Sequence, residues 1–479
     1  MDENNTRARW WKQADLALWV MGTLLAALTA LLVGMIVSNM LEQDEGADVG
    51  ETSAAAVAVM STAPGVGAVE EGVLDPAPPA VPGTLPHAIY VWQRRWDSEL
   101  MKALARASAK SSRFVVLSAE ITWQRGRPRT FRVPVDYAAL KATGKPVGLA
   151  VRIQPYNGRF SASDSIAGYL KRLVTRLVAA ARAAGVEPVE VQIDFDCAER
   201  RLNGYRAWVE TLRKTVRPIP LTITTLPSWL KHASFGKLVK ASDGFTLQVH
   251  MRKPPPEARG TITLCHPASA RKWVEKASSA GVPFHVALPT YGYLGVFWQD
   301  GGFIGSHIAG SPREAGTMLR IVQANPFELA GLVRDWDAKR PDNLQGFIWY
   351  RLPVDGDTMN WTWRTLATVI DRKTPTRSMR VEIEYPRPTS AGVYLVNSGT
   401  VDLPADIRIG LTWQGGTRES GDALSGYTIV ETKPTALTLE STDDAHLVRV
   451  APGERLKVAE LRFNRKTNVT GTATARGRD

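Results

Sequence analysis

The chain is read as an α/β fold, a (β/α)8 TIM-type barrel, with a C-terminal β-sandwich and an N-terminal transmembrane helix. Three observations predict this. Eight apolar, strand-like runs alternate with amphipathic helical stretches between Ala88 and Arg351, the rhythm of a closed parallel barrel. From Arg380 onward the helical period disappears, and short alternating runs are separated by Pro, Gly, Asp and Asn, the pattern of stacked antiparallel sheets. Near the amino terminus, Leu16–Val37 contains no charged residue and is long enough to cross a bilayer.

Composition fits this architecture. The chain has 479 residues, 44% hydrophobic and 22% charged, enough for two or three domains with ample core. Its formal charge of +12 suits an anionic partner. With no arginine-rich tract, helix-turn-helix or zinc-finger spacing, nucleic acid is set aside. The charge is read as a scattered basic surface.

Residues 1–15 form a cytoplasmic segment with Arg7, Arg9 and Lys12 beside Trp10 and Trp11. Residues 16–37 are the anchor, and Glu42, Asp44 and Glu45 follow it. That asymmetry puts the amino terminus inside and the remainder outside the cytoplasm, in the periplasm or beyond, as a single-pass inner-membrane protein. A cleaved signal peptide is the alternative. The apolar run is long for one, and Ser38–Met40 is a poor cleavage site. Residues 38–86, rich in Ala, Gly, Val, Pro and Glu and ending in DPAPPAVPGTLP, read as a disordered tether.

Residues 87–376 are assigned to the barrel. Its strands are expected at Ala88–Gln93, Phe114–Ile121, Val147–Gln154, Val189–Asp196, Leu221–Leu226, Phe245–His250, Phe284–Thr290 and Phe347–Arg351. Helical stripes are expected at Ser165–Ala184, Tyr205–Val216, Ala268–Ala280 and Arg313–Ala324. An open doubly wound sheet fits less well, given the strand count and the missing GxGxxG. Residues 377–479 are the sandwich, with a basic tail after Asn468 expected to fray. Cys197 and Cys265 can pair in an oxidising compartment or remain two buried thiols. Neither Cx2C nor HExxH occurs, so no metal or other cofactor is expected.

The fourth strand carries the chemistry. In VEVQIDFDC, Val189, Val191, Ile193 and Phe195 alternate with Glu190, Gln192, Asp194 and Asp196, so the polar residues share one face. Helices cover the outside of such a barrel, so the polar parity should face the lumen. There it joins Ser118 and Glu120, Arg152 and Gln154, Thr222 and Thr224, Gln248 and His250, and His285 and Tyr291. Trp92, Trp229, Tyr291, Tyr293, Trp349 and Tyr350 fall at or just beyond strand ends, where rings can stack on sugar faces. The competing reading is structural: Glu120, Arg152, Asp194 and Asp196 neutralise one another, and the aromatics pack.

The segments IYVWQRRW, VQIDFDCAERRLNGYRAWV, LTITTLPSWL, LQVHM, FHVALPTYGY and GFIWYRLPVDGDTMNW together resemble a bacterial family, domain of unknown function 3142. The resemblance runs from about Ala88 through the β-rich tail. It implies a glycosidase-like barrel without assigning a reaction. A more distant resemblance is to the family-eighteen chitinase barrel. There the fourth strand carries alternating acids ending in a catalytic Glu, the seventh resembles LPTYGY, and the eighth ends in a Trp like Trp349. Only Asp194 and Asp196 fit that acid pattern. Ala198 takes the position of the Glu, and Glu199 is one residue out of register unless a bulge turns it inward.

Two functions follow as expectations. The first is a membrane-anchored glycoside hydrolase acting on envelope or exported polysaccharide, with Asp196 as acid, Asp194 orienting it or stabilising positive charge, and Glu120 as base or nucleophile. Trp92, Arg152, Gln248, His250, Trp229, Tyr291, Tyr293, Trp349 and Arg351 would bind substrate. The second is a non-catalytic glycan-binding or scaffold protein. Neither the glycan nor the oligomeric state can be read from the sequence.

Overall fold

The computed structural model describes residues 84–250, 264–298, 302–306, 316–403, 407–442 and 449–475. The expected anchor, and all but the end of the tether, lie outside them. No helix among the described residues is long and apolar enough to cross a membrane.

Eight parallel strands close into a barrel: β1 (His87–Val91), β2 (Phe114–Gln124), β4 (Val147–Ile153), β5 (Pro188–Phe195), β6 (Leu221–Thr225), β7 (Gly244–Gln248), β8 (Phe284–Pro289) and β12 (Leu344–Tyr350), with β12 pairing back onto β1. The strand β3 (Arg127–Arg132) adds antiparallel to the far end of β2. The helices are α1 (Ser98–Ser108), α2 (Tyr137–Ala142), α3 (Ser165–Ala183), α4 (Leu202–Val216), α5 (Ala233–Val239), α6 (Pro267–Ser278), α7 (Pro326–Ala338) and α8 (Trp363–Ile370).

The strands form where β-branched and aromatic residues alternate with small or polar ones. Their apolar faces, including Ile89, Val116, Val151, Ile193, Ile223, Leu247, Val286 and Phe347, share one core with the helices. Acceptor side chains start several helices: Asp97, Asp136, Asp164 and Thr362 each accept from a backbone N–H in the first turn. A smaller core inside the barrel contains Ala88, Tyr90, Val115, Leu117, Ala150, Ala287 and Ile348. Small residues recur there because space is short. At Gly148 a Cβ would lie 2.6 Å from Glu190 Cγ, so glycine makes room for that buried carboxylate.

One predicted helix is a strand. Arg313–Ala324 was expected to be helical, but Thr317–Gln323 forms β11, which pairs with β9 (Gly292–Trp298) beside β10 (Phe303–Ser306). Thr317, Ile321 and Val322 favour the extended backbone. The helix begins later, where Asn325 Oδ1 accepts from Phe327 N at 3.0 Å and Pro326 occupies the first turn.

Beyond the barrel lie two four-stranded sheets. One orders β13 (Met379–Arg387), β14 (Ser390–Asn397), β19 (Arg455–Phe463) and β16 (Arg418–Ala423). The other orders β17 (Tyr427–Lys433), β18 (Ala436–Ser441), β15 (Ile407–Gln414) and β20 (Asn468–Ala475). Val393, Leu395, Ile409, Leu411, Leu439, Val458 and Leu461 fill the core they share. The tail expected to fray is ordered through Ala475, because β20 pairs along the whole of β15. Asp402 ties the sheets to the barrel, accepting from Thr362 N at 2.8 Å and Thr362 Oγ1 at 2.6 Å. Cys197 and Cys265 are separate buried thiols, each pushed up to about 12 by burial.

Candidate active site

The carboxyl ends of the strands carry the polar residues. Register places Glu120 beside Arg152 and Arg152 beside Asp194, so an anion, a cation and an anion line three neighbouring strands. Arg152 Nε lies 4.0 Å from both Glu120 Oε1 and Asp194 Oδ2. These carboxylates and the Tyr350 hydroxyl raise its pKa against the opposing pull of desolvation. A second guanidinium comes from the loop after β1, where Arg94 Nε donates to Glu120 Oε2 at 2.6 Å. Glu120 is 3% exposed. It is therefore engaged as a counter-charge and is poorly placed for the base or nucleophile role expected from sequence.

Asp194 is equally constrained. Its Oδ1 accepts from Thr224 Oγ1 at 2.7 Å and from Gln248 Nε2 at 3.3 Å. Asp196, just past the end of β5, differs: among the described residues no hydrogen bond or ion pair holds its carboxyl. Desolvation in the mouth and the neighbouring Asp194 push its pKa up to about 6, against the pull of Arg152. The side chain stays accessible to solvent, so the group can exchange protons.

An aromatic wall faces these acids. Trp92 meets Tyr350 edge-on at 5.6 Å, and Tyr350 stacks on His250 at 5.8 Å and meets Tyr291 at 5.5 Å. His250 Nδ1 lies 3.2 Å from the Tyr291 hydroxyl, and burial pushes the imidazole down to about 4, so His250 is neutral near pH 7. Trp92 Nε1 is buried and has no acceptor among the described residues.

Four residues expected to bind substrate lie elsewhere. Trp349 has the opposite parity to Ile348 and Tyr350; it is fully buried on the outer face, donates to His87 Nδ1 at 3.0 Å and packs on Trp361. The ring at the inner end of the eighth barrel strand is therefore Tyr350. Trp229 folds back in the short turn Pro227–Lys231 against Tyr205, within the outer core. Tyr293 sits on β9 in that same core. Arg351 turns to Asp357, with Nη2 2.7 Å from Oδ2. Glu199 does not turn inward either. It lies in the turn Glu199–Arg201 and meets Lys231 at 2.9 Å and His232 at 2.6 Å, contacts that lower its pKa to about 2.

Sequence reading missed two side chains and one irregularity. Arg94 lies in a loop and follows no strand parity. Tyr90 donates to Gln192 Oε1 at 2.5 Å, and Gln192 Nε2 donates onward to Thr222 and Thr246, each at 3.2 Å; the alternation on β1 could have revealed it. The register of β2 also shifts between Leu117 and Ala119. Val115 and Leu117 point inward below that bulge, and Glu120 does so above it.

Among solved structures, the chain is similar to a chitinase from Chromobacterium violaceum (16% identity, TM-score 0.42, covering 60% of this chain and 98% of that one). It is also similar to the spore cortex-lytic enzyme SleL of Bacillus cereus (11%, TM-score 0.44, 61% and 75%) and a chitinase of Bacillus thuringiensis (9%, TM-score 0.42, 82% and 100%). At such identities and scores the likeness assigns no residue a role. No curated protein matches the chain. A family model does match, over residues 143–355, a narrower span than the motifs suggested but one that holds Arg152, Asp194, Asp196, Gln248 and Tyr350. The matching model is that of the family described as Domain of unknown function (DUF3142), and the segment is similar to it.

Proposed function

We propose that the barrel mouth is a glycan cleft in which Asp196 acts as a general acid, making the protein a glycoside hydrolase. The observation that carries this reading is the state of Asp196. Two guanidinium groups face three carboxyls, and two of those carboxyls are held by named partners. The third is accessible and has no counter-ion of its own among the described residues, and burial with the neighbouring Asp194 pushes its pKa up to about 6. Such a group holds a proton that it can deliver to a glycosidic oxygen near neutral pH.

Asp194, fixed by Thr224 and Gln248, would stabilise positive charge on the sugar ring. Residues i and i+2 on a strand lie roughly 6.6 Å apart along the chain, between the carboxyl separations of retaining and inverting enzymes. The aromatic wall would hold the sugar. The charge asymmetry around Leu16–Val37 supports membrane anchoring with the barrel outside the cytoplasm. Protease added to inner-membrane vesicles of known orientation tests it: digestion of the barrel from the cytoplasmic face would reject this topology.

A second reading, a glycan-binding protein without turnover, is favoured by one observation. Ala198 follows Asp196 where a further inward acid would stand, and Glu199 is committed to Lys231 and His232. A hydrolysis screen of glycans with the full chain and with Asp196→Asn separates the two. The enzyme reading expects kcat to fall by about 10²–10⁴ in the variant with affinity kept. Wild-type turnover by a folded Asp196→Asn protein would remove the acid assignment, and no turnover of any glycan by wild type would leave the binding reading.

A further inference from the structure

The second barrel strand does not stop at the mouth. Past Glu120, β2 runs on to Gln124 and returns as β3 through Arg125 and Gly126. These two residues have φ of +49° and +75°, the geometry of a tight hairpin turn that favours Asn or Gly at both positions. An arginine held at the first, at a conformational cost, is the first sign that this tip is used.

Register supplies the second. Phe131 pairs with Glu120, Arg129 with Thr122 and Arg127 with Gln124. Directly paired residues project to the same side, so these six share one face, continuous with the lumen. All but Glu120 are exposed. The opposite face packs: Trp123 Nε1 donates to Gln154 O at 2.8 Å, and Thr130 bonds the Tyr169 hydroxyl. Arg94 bridges the hairpin and the acid cluster, placing its guanidinium 5.8 Å from the Phe131 ring centroid while it holds Glu120.

The segment from Ile121 to Val133 contains Arg125, Arg127, Arg129 and Arg132 and no Asp or Glu. These arginines are spaced through a strand and a turn and do not form a contiguous basic tract. Arg129 Nε donates to Gln124 Oε1 at 2.8 Å. Among the described residues, Arg125 in the turn and Arg127 on this face have no carboxylate partner, whereas Arg132, paired with Ala119, lies on the opposite face.

We infer that the β2–β3 hairpin docks a carboxylate-bearing polysaccharide, a chain of uronic acid type, and leads it into the mouth. This deepens the glycan-cleft reading and rests on it. Guanidinium forks match carboxylates in bidentate geometry, and the exposed Phe131 ring offers an apolar face to a sugar. A nucleic-acid strand fits less well, since such strands are held by successive stacked bases and this face shows one exposed ring.

The test is equilibrium binding to the full chain, so turnover is not required. The probes are a uronic acid oligomer, the same oligomer with its carboxyls reduced, a sulfated oligomer of equal length and a single-stranded DNA. The uronate should bind about tenfold tighter than its reduced form at low salt, and added salt should erode the difference. Arg127→Gln/Arg129→Gln should bring the uronate to the level of the reduced oligomer with unchanged circular dichroism. Arg127→Lys/Arg129→Lys should fall between, keeping charge without the fork.

Equal binding of the uronate and its reduced form, or an unaffected glutamine variant, would overturn the inference. So would equal or tighter binding of the sulfated oligomer or the DNA. Hydrolysis of neutral glycans with an indifferent hairpin would sink this inference and leave the acid chemistry standing. Uronate binding without turnover would do the reverse.

Discussion

One strand, β5, carries carboxyls at both ends of the barrel, and the two ends do opposite things with them. At the floor, Glu190 is 4% exposed, lies 3.2 Å from Arg113 Nε, accepts from Thr222 Oγ1 at 2.8 Å and borders a cavity of about 200 Å³ shared with Asp243 and His285. At the mouth, Asp196 has the same parity and no such partner. The residue class, strand and face are the same. The difference lies in what the neighbouring strands bring. Conserving a fold needs charges compensated, whereas delivering a proton needs one that is not. Gln192, fully buried between them, is neutral and links the two levels through Tyr90, Thr222 and Thr246.

The largest expected effect tests whether the compensated carboxyls are structural. Glu120→Ala leaves Arg94 and Arg152 facing each other without their shared anion, and should cost about 3–5 kcal/mol in urea unfolding. Glu190→Ala strands one guanidinium, that of Arg113, which is about a quarter exposed (23%), along with the Thr222 hydroxyl, and should cost less, about 2 kcal/mol. Equal costs, or the reverse order, would break the view that Glu120 is the main counter-charge.

Next comes a pH effect at the floor end. Burial, and secondarily Arg372, pushes His87 down to about 3. Its Nδ1 accepts from Trp349 Nε1, so protonation there ends that bond. The folded pKa lies below the unfolded value, so this stability is complete above about 6.5 and is lost as pH falls towards 3. The slope is about 1.4 kcal/mol per pH unit over that window. His87→Gln should keep an acceptor for Trp349 and flatten the acid limb of a stability–pH curve by that amount. An unchanged limb would mean His87 is not what acid attacks.

The barrel was legible because strand alternation and helical stripes are local, and the strand ends differ from expectation by a few residues. The polar parity of β4 to β7 was legible for the same reason. What escaped depended on contacts distant in sequence or on a single irregularity. Arg94 reaches Glu120 from a loop. The β2 bulge reverses parity within one strand. Trp349 and Tyr350 are adjacent, and an error of one residue exchanges outer core for lumen. The β9–β11 sheet escaped because Thr317–Gln323 mixes apolar and polar residues at a spacing that both periods tolerate. The partnering of Asp194 and the isolation of Asp196 could not be read from a strand on which they look equivalent.

The smallest expected effect sharpens the comparison most, because its sign is unusual. Removing a carboxylate from a charged cluster normally costs stability. Asp196 has its folded pKa raised to about 6, above the ordinary value near 3.9. Between those values the unfolded chain gives up its proton while the folded chain retains it, so the folded state binds more protons and stability falls as pH rises. The loss begins near pH 4 and is complete beyond about 6. Asp196→Asn cannot ionise and should escape it. The variant should match wild type at pH 4 and be more stable at pH 7 by about 1 kcal/mol, a figure reduced for the solvent that reaches the side chain. Thermal unfolding at the two pH values measures it. A variant that is less stable at pH 7 would make Asp196 a counter-charge for Arg152, like Glu120, and the two ends of β5 would then differ in depth alone.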